Sequence, residues 1–460
     1  MFIGLNYKHF LLNKNNTFVI IKNNLRSGFM VEKYLVINGG SSSLKFSLYQ
    51  VEDGKEKNLV NGLIERIGYE GSGYILKING EKITGEVEIP NHTVAVEVML
   101  EKLKEHNLIS SIDEIKGVGH RVLHGGEFYD KSVLITEDSL ENIKSLEHYG
   151  PLHMPGEISG IESMMEKLPR VPQVATFDTA FHQTIPNFNY MYAIPIDYYE
   201  KEKIRKYGFH GTSHQYITEV MQDKLNKKDV NLIVCHIGSG ASICAVKDGL
   251  SFDTTMGYDP NSGLMMGTRS AELPFSVTLE MKQSRNLSDK DIENILNKES
   301  GLKGISGKND CRDVDQLIDK GNKNAKLAME MFKLSVIRFI SSYYTEIIAN
   351  INKNRKENEP RKEIDGIIFT AGVGENNIRF REEIINYIAD TFNISLNKES
   401  NDNIASFKDI QEGVITTDNS RFPVYVIPTD EEYMILKDTM EITKEYNETL
   451  RYKLTNKSEK

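Results

Sequence analysis

Cysteine is scarce in this sequence, with three residues among 460: Cys235, Cys244 and Cys311. The number is odd and no C-x-x-C pair occurs, which argues against a disulfide framework and against a structural zinc site. We therefore expect three buried thiols in the reducing environment of the cytoplasm. Long apolar runs are also missing, since no stretch approaches the ~20 apolar residues that a membrane-spanning helix needs.

Positive charge does not predominate, because the formal net charge is −10. A nucleic-acid-binding surface needs clustered lysine and arginine, so this balance argues against a nucleic-acid partner. The content of 39% apolar and 27% charged residues is typical of an ordinary globular protein. At roughly 100–200 residues per domain the length allows a few domains, and we expect two.

The first thirty positions contain no acidic residue, and the first one in the sequence is Glu32. An acid-poor leader resembles an organelle-targeting peptide, although this one lacks the usual richness in arginine and serine. The alternative, which we favour, is that translation starts at Met30. We expect residues 1–30 to be a leader that is disordered or precedes that start.

Two common phosphate-binding motifs are missing, namely G-x-x-x-x-G-K-[ST] and G-x-G-x-x-G. In their place, three glycine-rich turns each follow an apolar segment, at 39–45, 236–242 and 371–376. Glycine lets backbone N–H groups approach a phosphate closely. One such turn is most simply a hairpin turn, but three together favour a phosphate-binding site.

Short apolar, β-branched segments alternate with helical patterns, which predicts an α/β fold. Residues 34–38 and 43–51 predict a hairpin around the first glycine turn, and residues 230–257 repeat this strand–turn–strand pattern. A long amphipathic helix is predicted over 324–352. The repeated hairpin suggests that the chain contains one α/β unit twice.

Two arginines, Arg121 and Arg269, lie in loops rich in glycine, histidine or methionine, and a guanidinium binds a carboxylate or a phosphate through two hydrogen bonds. His210 belongs to a group of histidines that could hold zinc. However, no H-E-x-x-H motif occurs, and Gly211 interrupts the H-x-x-x-H at 210–214. A hydrogen-bond donor to a phosphoryl group is the interpretation we favour for His210.

Candidate ligands for a magnesium ion are oxygen-bearing side chains near strand ends. Asp178, Glu431 and the amide of Asn38 are of this kind. Each carboxylate alone could equally be a helix cap or a solvated surface group.

These motifs together resemble those of acetate kinases, in order and in spacing, from about residue 31 to the C-terminus. The matching stretches are VINGGSSSLKF, GHRVLHGGE, PLHMP, FDTAFHQTIP, YGFHGTSH, HIGSGAS, DTTMG, GLMMGTRS, SGKNDCRD, FTAGVGEN and IPTDEE. The resemblance implies two duplicated ribonuclease H-like domains, the actin-like ATPase fold, that close over a central cleft. The implied domains are 31–182 plus 433–460, and 183–432.

The resemblance also implies an activity: reversible, direct in-line phosphoryl transfer from ATP to acetate, giving ADP and acetyl phosphate. It implies Mg²⁺, with Mn²⁺ as a substitute, ATP and acetate as substrates, and a cytoplasmic homodimer. Propionate kinase is the alternative within the class. A pyrophosphate-using variant and a non-catalytic, actin-like nucleotide-binding module are less favoured, because the nucleotide motifs, Arg121 and His210 are all present.

Site residues follow from the resemblance position by position. The implied catalytic residues are Asp178, His210 and Arg269. Arg121 is implied to bind the carboxylate, and the apolar pocket for the methyl group is implied at Leu123, Leu152, Phe209 and Pro260. The implied metal positions are Asn38 and Glu431. The implied nucleotide-binding residues are Lys45, His236, Ile237, Gly238, Ser239, Gly240, Asp310, Cys311, Arg312, Gly372, Val373, Gly374, Glu375 and Asn376.

The chain departs from the family pattern at several positions. Ser239 and Met154 stand where asparagine is usual, Asp430 adds an acid beside Glu431, and Leu123 replaces the common valine. Asp178 matches the residue assigned as an acid or base, yet acetate is already ionised at neutral pH and needs no base (ordinary carboxyl pKa ~4). Our hypothesis is that Asp178 orients an arginine or the water shell of the metal.

Overall fold

The computed structural model describes residues 31–457. The predicted leader at 1–30 lies outside the described residues, so that expectation stays a prediction. None of the helices in the described part is long and apolar enough to cross a membrane.

The described chain alternates between strands and helices. The strands are β1 (Glu32–Gly40), β2 (Ser43–Glu52), β3 (Lys55–Glu65), β4 (Gly73–Ile78), β5 (Glu81–Glu86), β6 (Ile115–Val122), β7 (Val133–Leu134), β8 (Gln173–Phe177), β9 (Leu232–Ile237), β10 (Ala241–Lys247), β11 (Leu250–Thr254), β12 (Gly366–Thr370), β13 (Gly413–Val414) and β14 (Val424–Val426). The α-helices are α1 (His92–Glu105), α2 (Glu137–Ser145), α3 (Met154–Lys167), α4 (Asn187–Tyr190), α5 (Asp197–Glu202), α6 (Gly211–Leu225), α7 (Phe275–Ser284), α8 (Asp289–Asn294), α9 (Gly301–Ser306), α10 (Cys311–Asp319), α11 (Lys323–Ile351), α12 (Ala371–Asn376), α13 (Ile378–Phe392), α14 (Lys398–Asn403) and α15 (Glu431–Lys457).

The strands form two sheets with a shared core pattern. The first sheet has the order β5-β4-β3-β2-β1-β6-β8-β7, and the second has the order β11-β10-β9-β12-β14-β13. In each sheet the first three strands in sequence pair in antiparallel fashion, and two later strands run parallel to the first of them. The first sheet carries two further antiparallel strands, β4 and β5. The arrangement common to both sheets confirms the predicted α/β duplication and the predicted hairpins.

In each sheet the carboxyl ends of the parallel strands lie side by side. In the first sheet β1, β6 and β8 run in parallel, so the residues that follow their carboxyl ends are neighbours. In the second sheet β9, β12 and β14 do the same. Ligands of open α/β sheets bind beyond such carboxyl ends. The carboxyl ends of the parallel strands in both sheets are therefore candidates for contributing residues to one site.

The terminal helix α15 packs against β1, β6 and β8 of the first sheet. Two glycines of β6 make this close approach possible, because a side chain at Gly117 or Gly119 would collide with Thr443 or Thr439 of the helix. This packing is compatible with assigning residues 433–460 to the first domain. The division into 31–182 plus 433–460, and 183–432, stays a prediction.

Two local predictions meet different outcomes. The long helix predicted over 324–352 is α11, with Phe332, Ile340 and Ile347 buried. The glycine turn predicted at 371–376 is instead the short helix α12. The two glycines in this segment predict a turn rather than a helix, because glycine is a poor helix former.

Candidate active site

The edge of the first sheet carries an arginine–aspartate pair. Arg121 lies near the end of β6 and Asp178 follows β8 directly. Arg121 donates from Nε to Oδ1 of Asp178 at 2.9 Å and from Nη2 to Oδ2 at 2.5 Å. Both carboxylate oxygens are therefore held by one guanidinium, which fixes the orientation of the arginine.

This pair is buried, with Asp178 only 1% exposed and the Arg121 side chain 24% exposed. Burial raises the pKa of Asp178 above its ordinary value, and the charge and hydrogen bonds of Arg121 oppose that shift. Burial lowers the pKa of Arg121, but the charge and hydrogen bonds of Asp178 outweigh it and raise that pKa. Each partner thus depends on the other to remain charged inside the protein.

His210 precedes α6 and has a left-handed backbone, with φ of 57°. Such a conformation is unusual for a residue other than glycine and is common at functional sites. The ring stacks on that of His236, with centroids 4.1 Å apart. Burial lowers the pKa of His210 well below its ordinary value, and the nearby charges of Arg121 and Arg269 lower it further, so the ring is neutral.

Arg269 and His210 converge on the glycine turn of the second sheet. Nη1 of Arg269 donates to the carbonyl of Pro260 at 3.0 Å, which aims the guanidinium. A methyl group placed on Gly240 would lie 3.5 Å from Nε2 of His210 and 3.7 Å from Nη1 of Arg269. The space beside Gly240 is therefore flanked by a neutral N–H-bearing ring and a cation.

The segment that carries His210 is hydrogen-bonded to the residue that follows β8 of the first sheet. The amide of Gly211, the next residue, donates to the carbonyl of Asp178 at 2.8 Å. The arginine–aspartate pair, His210 and the Gly240 turn thus form one continuous site.

A cavity of about 680 Å³ opens beyond the carboxyl ends of β9 and β12. Its size is within the range of small-molecule and cofactor sites, ~300–1,000 Å³. The nucleotide-binding candidates in its wall are Gly238, Ser239, Asp310, Cys311, Arg312, Gly372, Val373 and Asn376. Its other lining residues are Gly267, Leu302, Asn309, Asp315, Asn377, Ile378, Ser406 and Phe407.

The remaining nucleotide candidates lie outside this wall. Ile237 is fully buried in the core. His236 lies near the end of β9, and Gly240 directly precedes β10. Lys45 is exposed on β2 in the first sheet, opposite Asn38 in the register. Gly374 and Glu375 lie in α12, and the carboxylate of Glu375 accepts the amide of Thr429 at 3.1 Å, which ties α12 to the segment before α15.

Asn38 and Glu431 have the chemistry expected of a magnesium site. An amide oxygen and a carboxylate are hard oxygen ligands, and Mg²⁺ keeps several waters when protein ligands are few. Glu431 begins α15 and lies close enough to Arg121 and Asp178 to affect their pKa values. The described residues hold no group of three or more histidine, cysteine or acidic side chains suited to a metal.

The four candidates for the methyl pocket differ in burial, and their role stays a prediction. Leu123 and Phe209 are buried, at 4% and 1% exposure, and belong to the same core cluster. Pro260 is half-buried, whereas Leu152 is 43% exposed. Leu123 packs over Gly150 beside Met154.

The chain is similar to known proteins over most of its length. The chain matches the model of the acetokinase family over residues 33–437. An acetate kinase of Clostridium botulinum is 44% identical over 416 residues, covering 89% of this chain and 99% of that protein. The acetate kinase of Bacillus subtilis is 42% identical over 421 residues, covering 90% and 100%. The chain belongs to the acetokinase family.

Solved structures of this family have the same fold. The Porphyromonas gingivalis acetate kinase has a TM-score of 0.81 and 37% identity, and it covers 89% of this chain and 99% of its own. A propionate kinase from Francisella tularensis has a TM-score of 0.80 and 40% identity, with coverage of 89% and 100%. The predicted fold class, the duplicated actin-like ATPase fold of the acetokinase family, is confirmed.

The sequence analysis missed one acid in this site, Glu157. Its side chain is 2% exposed, and Oε2 accepts the amide of Leu123 at 2.9 Å. Burial raises its pKa to about 7, although the charge of Arg121 works against the shift. The signal was present in the sequence, because Glu157 falls at helical spacing among the apolar residues Met154 and Ile161 on the buried face of α3.

Glu157 should make stability depend on pH. The unfolded carboxyl ionises near ~4.3, whereas the folded one keeps its proton up to about pH 7. The folded state binds more protons in this window, so the group's contribution to stability falls as pH rises through it. Glu157→Gln cannot ionise, and we expect it to gain up to ~3 kcal/mol relative to the parent between pH 4.5 and pH 7.

Urea unfolding of both proteins at several pH values measures this difference. Glu162→Gln, on the exposed side of the same helix, is the matched control for loss of a carboxylate. A difference between Glu157→Gln and the parent that stays flat across the window would refute the prediction.

Proposed function

We propose that this protein is an acetate kinase, which transfers the γ-phosphoryl group of ATP to acetate and forms ADP and acetyl phosphate. The observation that carries the proposal is the placement of His210 and Arg269 beside Gly240. The turn that ends at Gly240 supplies Gly238 and Ser239 to the cavity wall, and the amide of Gly211, next to His210, donates to Asp178 of the arginine–aspartate pair. The 42–44% identity with curated acetate kinases supports the same activity.

Phosphoryl transfer needs positioning and charge stabilisation rather than covalent help from the protein. Arg121 would bind the acetate carboxylate, while Arg269 and the neutral ring of His210 would stabilise the charge on the equatorial oxygens. Acetate is already ionised at neutral pH, so no base is required. The two hydrogen bonds between Arg121 and Asp178 support an orienting role for Asp178.

Magnesium is part of the proposal. Asn38 and Glu431 would hold it, and the ion would neutralise charge on the nucleotide phosphates. The cavity residues would bind the nucleoside end of ATP. The exposed Lys45 would contact its phosphates.

Trapping of the acyl phosphate tests the function directly. With ATP, Mg²⁺, acetate and hydroxylamine, the protein should produce acetyl hydroxamate, and omission of ATP should abolish it. No product with either acetate or propionate would overturn the kinase proposal and favour a non-catalytic nucleotide-binding module.

Propionate is the second candidate substrate, because the solved propionate kinase is 40% identical to this chain. Leu123 and Met154 lie side by side against Gly150, and a leucine that lines the methyl pocket would favour the smaller acid. Leu123→Ala should raise the propionate-to-acetate ratio of kcat/KM by about tenfold, since a methylene in a tight pocket is worth ~1–3 kcal/mol. An unchanged ratio would show that Leu123 does not line the methyl pocket.

A homodimer is also proposed. Helix α7 has no buried residue, and it exposes Phe275 at 75%, with Val277 and Leu279 also exposed. Contiguous apolar surface of this kind is typical of a protein interface. Phe275→Glu should shift the sedimentation coefficient from that of a dimer to that of a monomer, while Tyr69→Glu, at an exposed aromatic outside α7, should leave it unchanged.

A further inference from the structure

Behind His210 lies a hydrogen-bonded chain that the proposed chemistry does not use. Oγ of Ser242 lies 2.9 Å from Nδ1 of His210 and 2.8 Å from Nε2 of His214. Ser242 and His214 are both completely buried. A serine hydroxyl has one hydrogen and two lone pairs, and the two rings are the only partners of Oγ of Ser242 among the described residues. Its buried hydrogen therefore has an acceptor only if it donates to one ring and accepts from the other.

Nδ1 of His214, the ring nitrogen that does not face Ser242, shows which of the two rings donates to the serine. This nitrogen is buried and has no hydrogen-bond partner among the described residues. An orphaned buried N–H is rarer in proteins than an acceptor that lacks a partner. Nδ1 of His214 therefore carries the lone pair, and its Nε2–H donates to Ser242.

The consequence for His210 follows from this direction. The hydroxyl of Ser242, which accepts from His214, donates its own hydrogen to Nδ1 of His210. Because the ring of His210 is neutral, as its lowered pKa indicates, its single hydrogen then resides on Nε2. Nε2 is the nitrogen that lies 3.5 Å from the position of a methyl group on Gly240, where Arg269 also points.

We propose that Ser242 and His214 are positioning residues that set the tautomer of His210, so that Nε2 presents a hydrogen to the phosphoryl group rather than a lone pair. The reverse direction would place a lone pair against the oxygens of that group and would repel them. This inference rests on the proposed phosphoryl transfer for its role, but the tautomer itself is a property of the free protein.

Neighbouring histidines support a fixed arrangement. Nε2 of His182 lies 3.1 Å from the carbonyl of Phe209, which only accepts, so this ring is protonated on Nε2. Stacking of His236 on His210 restricts rotation of the His210 ring, and Nδ1 of His236 is itself held by Ser213 at 2.8 Å.

Nitrogen NMR of the full-length protein labelled with ¹⁵N-histidine tests the tautomer without any turnover. The His210 signals, assigned by their loss in His210→Gln, should show a protonated Nε2 and an unprotonated Nδ1. Ser242→Ala should shift them toward the other tautomer or an average of both. A protonated Nδ1 in the parent protein, or an unchanged pattern in Ser242→Ala, would overturn the proposal.

Kinetics provide the second readout. Ser242→Ala should lower kcat about tenfold to a hundredfold, with KM for ATP and acetate within about twofold, since a transition-state donor is weakened and binding is not. His214→Leu should lower kcat similarly, and His214→Gln, which restores a donor near the position of Nε2, should recover most of it.

Ser163→Ala removes a buried serine hydroxyl from α3, away from His210, and is the matched control. Equal losses in His214→Leu and His214→Gln would overturn the proposal, because a merely structural role would not distinguish them. If the parent protein forms no acyl hydroxamate, the proposed function fails, while the NMR result still decides the tautomer.

Discussion

Arg269→Ala should lower kcat about a thousandfold while changing the KM for acetate by only about twofold. Nη1 of Arg269 lies 3.7 Å from the position of a methyl group on Gly240, at the end of the turn that supplies Gly238 and Ser239 to the cavity wall. A cation in this position stabilises charge that spreads over the phosphoryl oxygens in the transition state and contributes little to acetate binding. Steady-state kinetics with each substrate varied will separate the two effects.

Gly240→Ala is a steric counterpart of that variant. Its methyl group would make ordinary contacts, at 3.5 Å from His210 and 3.7 Å from Arg269, so we expect the protein to fold normally. The same methyl group would occupy space that the phosphoryl group needs beside both side chains. We therefore expect a loss of kcat of about a hundredfold or more, with an unchanged melting temperature.

Arg285→Ala, an exposed arginine at the end of α7, is the control for loss of a cation. The assignment of Arg269 would be wrong if both active-site variants kept kcat within a few-fold of the parent. A large rise in the KM for acetate with kcat intact would instead place Arg269 in substrate binding.

Arg381→Met should lower the free energy of unfolding by about 4 kcal/mol. Arg381 is completely buried in α13 and donates to the carbonyls of Gly374, Glu375, Asn401 and Ile404 and to the side chain of Asn401, at 2.7–3.1 Å. Burial lowers its pKa to about 10. Its removal leaves several buried acceptors without a donor, and each then loses the free energy of its hydration without a compensating hydrogen bond.

The same variant should also raise the KM for ATP. Arg381 holds the last carbonyls of α12, and that helix supplies Gly372, Val373 and Asn376 to the cavity wall. Chemical unfolding and ATP kinetics measure the two effects separately. Arg379→Met, on the exposed side of the same helix, is the matched control, and equal destabilisation by both variants would contradict the argument.

The sequence predicts the elements that carry strong local patterns. The β1–β2 hairpin and the strand before each glycine turn follow from apolar alternation and glycine, and these place Asn38, Gly238 and Gly372 near sheet edges. Phe407 and Ser406, by contrast, lie in an irregular segment, and only tertiary packing brings them to the cavity.

Local patterns can place a polar residue such as Glu157 on a buried helix face, but they do not predict which residue it contacts. Glu157 meets Leu123, and Ser242 meets His214, across 34 and 28 residues of sequence. Neither pairing leaves a periodic signal, because each depends on two elements packed side by side. The roles carried over from the family name the reacting side chains, but not the residues that orient them.

The position of the terminal helix α15 determines which residues would move least if the two sheets rotated against each other. The chain leaves the first sheet after β8, at Asp178, and returns to it from β14 through α15, whose first residue is Glu431. If the two sheets rotate against each other, these two crossings act as pivots, and atoms near a pivot travel least. Glu431, the proposed metal ligand, and Asp178, which holds Arg121, would then keep their places, while the distant wall of the cavity moves. A divalent ion and acetate could accordingly bind before closure, and only ATP would sense how far the molecule has closed.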